Sequence, residues 1–168
     1  MIVRPKTVQL GAARLLALWL LAITMSQSAR SQETVHGADS LFVSPTVKVA
    51  WAVHKGASEE ATTVVIRVVN SADIYRQVRL EGLDPFSKQR RVLVSPQALG
   101  RQVDLSVSRA LFAEFPSCEI HLFKSHAPSR DQPPSLTVFY LGVPDTTPEF
   151  PSAPAVDAYL AKMLQTAK

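Results

Sequence analysis

Glu119 and His121 stand two residues apart in the segment from Cys118 to Phe123, which alternates apolar and polar side chains. Along an extended strand, residues of one parity leave the same face. This carboxylate and imidazole therefore project together, within mutual reach. A Glu–His set is a donor pattern for zinc or copper. His54, at the end of an earlier alternating stretch, and His126, in a loop, are the imidazoles that could complete it. The chain has four histidines in all, and their scattered positions carry no metal-ligand spacing. The plainer expectation is a solvated Glu–His pair with exposed loop histidines, and metal binding stands as its alternative.

Other chemistry finds less support. Cys118 is the only cysteine, so it can form no bridge within the chain. It shares parity with Ile120 and Leu122, which makes it a small buried hydrophobe rather than a nucleophile. Trp51 falls on the apolar phase of its strand and reads as core rather than as a binding platform. Phe123 falls on the polar phase and, with Phe139, leaves room for an apolar surface stripe. The sequence contains no Gly-rich phosphate loop, nucleophile elbow, H-E-x-x-H helix or C-x-x-C pair. No catalytic residue and no cofactor are expected, and a hydrolase with an unrecognised site is the second alternative.

Charge points to partners. The chain has 18 Lys+Arg against 14 Asp+Glu. Four of the bases (Arg4, Lys6, Arg14 and Arg30) lie in the first 32 residues, which hold no acid, so residues 33 to 168 carry 14 of each sign. A nucleic-acid binder needs a basic footprint that displaces counterions, and the balance of this portion excludes one at domain scale. A local surplus remains from Tyr75 to Arg109, with seven bases against three acids. Arg76, Arg79, Arg90 and Arg91 are its candidate partner-binding residues, facing an unknown protein or an anionic envelope component. The competing expectation is a solvated sheet face.

The first residues give the compartment. Arg4, Lys6 and Arg14 precede the apolar run Leu15 to Met25, and Ser26-Gln27-Ser28-Ala29 follows it. Basic, apolar and small-residue zones in this order describe a secretory signal peptide over residues 1–29. The run is too short for a membrane anchor, which needs roughly twenty apolar residues, and too solidly apolar for an amphipathic transit peptide. No transmembrane segment is expected in the mature chain. Asn70 is the only asparagine and is followed by Ser71-Ala72, so no N-glycosylation site exists, which is compatible with a bacterial origin.

Residues 30–40 read as a flexible polar lead-in. From residue 41 to 142 the period is two. Expected strands cover Val47–Val53, Thr62–Val69, Tyr75–Glu81, Arg91–Val94, Val103–Val107, Cys118–Phe123 and Leu136–Leu141, with a single helical turn over Ala110–Phe115. Short strands at such spacing, with turn signals between them, indicate an all-β fold. The expectation is a seven-stranded antiparallel immunoglobulin-like β-sandwich, without the disulfide of true immunoglobulin domains. Four prolines make residues 143–154 a semi-rigid linker. A short C-terminal helix, residues 155–168, follows it. It has Val156, Leu160, Met163 and Leu164 on one face, Asp157 in its first turn, and Lys162 and Lys168 toward its end. These features give an expected function: an exported, non-enzymatic binding or assembly-accessory protein of the bacterial periplasm or cell envelope. The first alternative is a periplasmic metal-binding protein.

Overall fold

The computed structural model describes residues 34–36, 41–84, 86–115, 117–129, 131–140 and 147–167. The expected signal peptide, residues 1–29, lies outside the described residues. The described residues form ten strands and two helices: β1 (Thr34–His36), β2 (Leu41–Val43), β3 (Val47–His54), β4 (Thr63–Asn70), β5 (Gln77–Leu83), β6 (Arg90–Ala98), β7 (Gln102–Ser108), α1 (Arg109–Ala113), β8 (Ser117–Phe123), β9 (Leu136–Tyr140), β10 (Glu149–Phe150) and α2 (Ala153–Thr166).

The strands make two mostly antiparallel sheets. One runs β1-β9-β8-β5-β6, and the other runs β10-β3-β4-β7 with β2 also on β3. Alternation fills the space between them. Val47, Val49 and Trp51 of β3, Val64, Ile66 and Val68 of β4, and Leu105 and Val107 of β7 meet Val78 and Leu80 of β5 and Cys118, Ile120 and Leu122 of β8. The expected core residues Val49, Trp51, Ile66, Val68, Leu105, Ile120 and Leu122 are all buried there.

The seven expected strands are β3 to β9, and three short strands add to them at the margins. β1 replaces part of the expected flexible lead-in, because Thr34–His36 pair in parallel with Thr137–Phe139 of β9. β10 replaces part of the expected linker. Val53 N donates to Pro148 O at 2.9 Å and Lys55 N to Phe150 O at 2.8 Å, which ties that segment to β3. The fourth expected strand does not stop at Ser95-Pro96 but continues to Ala98. A register shift between Val78 and Leu80 leaves Ser95 and Pro96 out of the ladder, and an edge strand tolerates a proline there.

The outer face of the second sheet carries α2. Val156, Leu160 and Leu164, one turn apart, cover Ala50 and Ala52 of β3. Those alanines occupy the alternate phase of β3, and their small side chains let the helix seat closely. The helix starts at Ala153, so Asp157 lies beyond its first turn, and no basic residue occupies its last turn. A cation reaches the helix end from the sheet instead. Lys48 Nζ donates to the carbonyls of Ala167 at 2.7 Å and Leu164 at 3.4 Å, placing a cation at the negative helix end. Among the described residues no helix is long and apolar enough to cross a membrane.

Candidate functional site

The outer face of the first sheet is built by the polar parity of β5, β8 and β9. Register sets Arg79 opposite His121 and Glu81 opposite Glu119, and His121 opposite Thr137. Two carboxylates directly opposed across a strand pair repel, so cations must stand among them. Arg90 reaches in from β6. Its Nε donates to Glu119 Oε2 at 3.0 Å and its Nη2 to Glu119 Oε1 at 3.1 Å, a forked pair of the stronger charge-assisted kind. The same Nε lies 3.8 Å from Glu81 Oε2. Arg79 Nε lies 2.7 Å from Glu81 Oε1, yet its N–H has no aligned acceptor. The contact is an ion pair without a directed hydrogen bond. The Arg79 guanidinium also rests 5.1 Å from the Phe123 ring centre, a cation–π distance.

His121 lies between the two acids. Its Nε2 is 2.6 Å from Glu119 Oε2, and its Nδ1 is 3.6 Å from Glu81 Oε2. An ionised carboxylate only accepts, which assigns the Nε2 proton to the hydrogen bond with Glu119. Burial alone would raise the Glu119 carboxyl. Hydrogen bonds from His121 and Arg90, reinforced by the Arg90 charge, outweigh it and hold the group at about 2 against an ordinary 4.5. Three buried polar atoms of this face lack a hydrogen-bond partner: Arg79 Nε, His121 Nδ1 and Thr137 Oγ1.

Two parts of the expected pattern are corrected here. Glu119 and His121 are not a solvated pair, being 1% and 4% exposed. Phe123 is fully buried rather than part of a surface stripe. The donors that come together are Glu81, Glu119 and His121, whose ligand atoms lie within 4.8 Å of one another; among the described residues no other such group exists. His54 belongs to the other sheet. It lines a recess of about 310 Å3 with Thr63, Arg67, Asp104 and Asp157. His126 is exposed in the loop after β8, and its carbonyl accepts a bond from Gln77 Nε2 at 2.8 Å. Glu81, which completes the group, follows Arg79 by two residues, as His121 follows Glu119. Those two polar pairs were visible in the sequence. That β5 and β8 are neighbours was not.

Each arginine of the expected basic patch has an acid beside it. Arg79 is buried on Glu81 and Arg90 is forked onto Glu119. Arg76 pairs with Asp73 at 2.9 Å and Arg91 with Glu114 at 3.5 Å. The surplus counted along Tyr75–Arg109 is largely neutralised by acids that lie elsewhere in the chain.

Beside this face, β6 is the last strand of its sheet among the described residues. A recess of about 530 Å3 lined by Arg90, Arg91, Val92, Glu114 and Phe115 adjoins it. Val92 is 48% exposed, and Phe86, in the preceding loop, is 94% exposed. No family model, no curated protein and no solved structure matches this chain.

Proposed function

We propose that this chain is an exported, non-enzymatic β-sandwich that works by binding, as an accessory or assembly factor of the bacterial periplasm or cell envelope. The observation that carries the reading is the β6 edge. This nine-residue strand is the last of its sheet among the described residues, next to a recess and two exposed apolar side chains. Such an edge accepts an extended segment of a protein partner as an added strand, with backbone bonds for affinity and side-chain pockets for selectivity. Ser95-Pro96 and the register shift limit the usable row to Arg90–Val94 and protect the rest from indiscriminate pairing.

Two further features support the reading. The layers β3-β4-β7 and β6-β5-β8-β9, with α1 between β7 and β8, lend support to an immunoglobulin-like reading of the two sheets. The basic, apolar and small-residue order of residues 1–29 supports export.

A photo-crosslinking residue placed at Val92 in the native envelope fraction tests this. One discrete protein adduct is expected from Val92 and none from Glu60, in the exposed turn between β3 and β4. Equal labelling from both positions, or retention of the chain in the cytoplasm, overturns the proposal.

A further inference from the structure

We infer that the segment taken up by β6 carries an acidic side chain, and that Arg91 reads it above the ring of Phe115. The inference rests on the strand addition proposed above and names the partner's chemistry. That partner is an extended protein segment with an acid beside an apolar residue.

Register places the side chains of β6. Gly82 lies opposite Arg91, and Glu81 lies opposite Val92. Opposed residues of a strand pair share a face. Glu81 belongs to the outer face, so Val92 projects there with it. Gly82 belongs to the inner face, where an added Cβ would strike the Phe115 ring, so Arg91 leaves on the Phe115 side. Its guanidinium stands 5.9 Å from that ring centre, a cation–π distance. Phe115 is buried and, with Arg91, lines the recess of about 530 Å3 beside β6.

Of Arg76, Arg79, Arg90 and Arg91, the last is the least committed to its acid. Arg79 is buried on Glu81, Arg90 is forked onto Glu119, and Arg76 meets Asp73 at 2.9 Å. Arg91 Nη1 reaches Glu114 Oε2 at 3.5 Å, longer than the roughly 2.7–3.2 Å of an ordinary N–H···O bond. The two side chains are 61% and 59% exposed, where water screens their attraction. A carboxylate carried in by a bound segment can therefore replace Glu114, and a guanidinium offers it two parallel N–H donors. Asp84, the other acid of the recess, is already engaged. Its Oδ1 accepts from the backbone N–H groups of Phe86 at 2.8 Å and Ser87 at 2.7 Å.

Side chains of an added strand alternate between faces. The residue set against Arg91 enters the recess, and its neighbour in sequence meets Val92 on the outer face. Val92 is exposed, and an apolar side chain laid on it removes that surface from water. An acid next to an apolar residue suits both faces at once.

The test is selection of a displayed library of random nine-residue segments on the full chain, with Arg91→Gln and Val92→Lys selected in parallel. Segments enriched on the native chain should carry Asp or Glu beside an apolar residue, and Val92→Lys should enrich none of them. One enriched segment is then measured as a labelled peptide by fluorescence anisotropy. Replacing its acid by the matching amide should weaken binding by at least about tenfold, the effect of a hydrogen bond to a charged group. Arg91→Gln should lose the same factor and bind the acid and amide peptides equally, and Arg91→Lys should restore part of the preference. Glu114→Gln should strengthen binding by about threefold, because a competing carboxylate is gone. Lys162→Gln, exposed on α2, should leave it unchanged. Enriched segments without an acid, or an acid preference that persists in Arg91→Gln, overturn the inference. Strand addition at β6 then still stands if Val92→Lys abolishes binding. Enrichment indifferent to Val92→Lys, or no enrichment at all, overturns the strand addition and the inference with it. An unchanged affinity in Glu114→Gln overturns the exchange of carboxylates. The acid-to-amide change is made in the peptide, so that comparison does not depend on any variant folding.

Discussion

Arg67 on β4 and Asp157 on α2 meet at 2.6 Å across ninety residues of chain. The same Nη2 donates to Asp104 Oδ2 at 2.6 Å, and Nε donates to Asp104 Oδ1 at 2.8 Å. Arg67 sits on the outward parity of β4 as the one charged residue of that strand, and its fork joins β7, β4 and the helix. Hydrogen bonds from its side chain to Asp104 and Asp157 outweigh the effect of burial and raise its pKa further. It therefore stays charged at any working pH.

Replacing Arg67 by Ala should cost about 1.5–3 kcal/mol, the worth of hydrogen bonds to a charged group. Asp157→Asn should cost less than about 1 kcal/mol, because that carboxylate is largely exposed and screened. Urea denaturation of the two variants checks the order. An equal, small loss in both would show that the fork does not hold the helix.

The helix itself is held by its apolar face. Leu160 is fully buried over Ala50 and Ala52, so Leu160→Ala should destabilise by about 2–5 kcal/mol. Limited proteolysis of the native chain should spare residues 153–166. Immediate trimming of this segment would mean that the helix is undocked.

Gly82 lies beneath the ring of Phe115, and a Cβ added there would come 2.4 Å from Phe115 Cγ. Gly82→Ala should cost about 1–3 kcal/mol by overpacking. Phe115→Leu should restore part of that loss in the double variant, since residues in contact are not additive. Strict additivity in thermal melts would contradict the contact.

Cys118 is fully buried in the core between the sheets. Burial first, and then the neighbouring Glu119 charge, push its thiol from an ordinary 9.0 up to about 12. The native thiol should therefore resist a disulfide reagent at pH 8 and react only through opening of the fold. The raised value also fixes a sign. The folded chain keeps a proton that the unfolded chain loses above about pH 9, so this contribution is whole below pH 9 and is lost as pH rises toward 12. Cys118→Ala should flatten the alkaline end of the stability curve relative to the native chain.

The strands were legible because each buries one face on a period of two. Val49 and Trp51, Ile66 and Val68, and Ile120 and Leu122 announce their inward parity without any neighbour. The apolar face of α2 was legible for the same reason at a period near four. Burial of the opposite parity was not, because alternation shows which residues go together and not what lies over them. Glu119, His121 and Phe123 read as solvent-facing for that reason and are buried nonetheless. The short strands β1, β2 and β10 were illegible too, since two or three residues carry no period and pair only because a longer edge stands beside them.

By itself the sequence determined the period of each segment, the inward residues, the helix at the end and the charge balance, because these are local properties of the chain. Only the tertiary structure decided which polar residues meet. Glu81 and Glu119 become opposite partners because β5 and β8 are neighbours, and Arg90 reaches them because β6 closes that edge. Strand order is set by long-range pairing in space, and local spacing along the chain does not encode it.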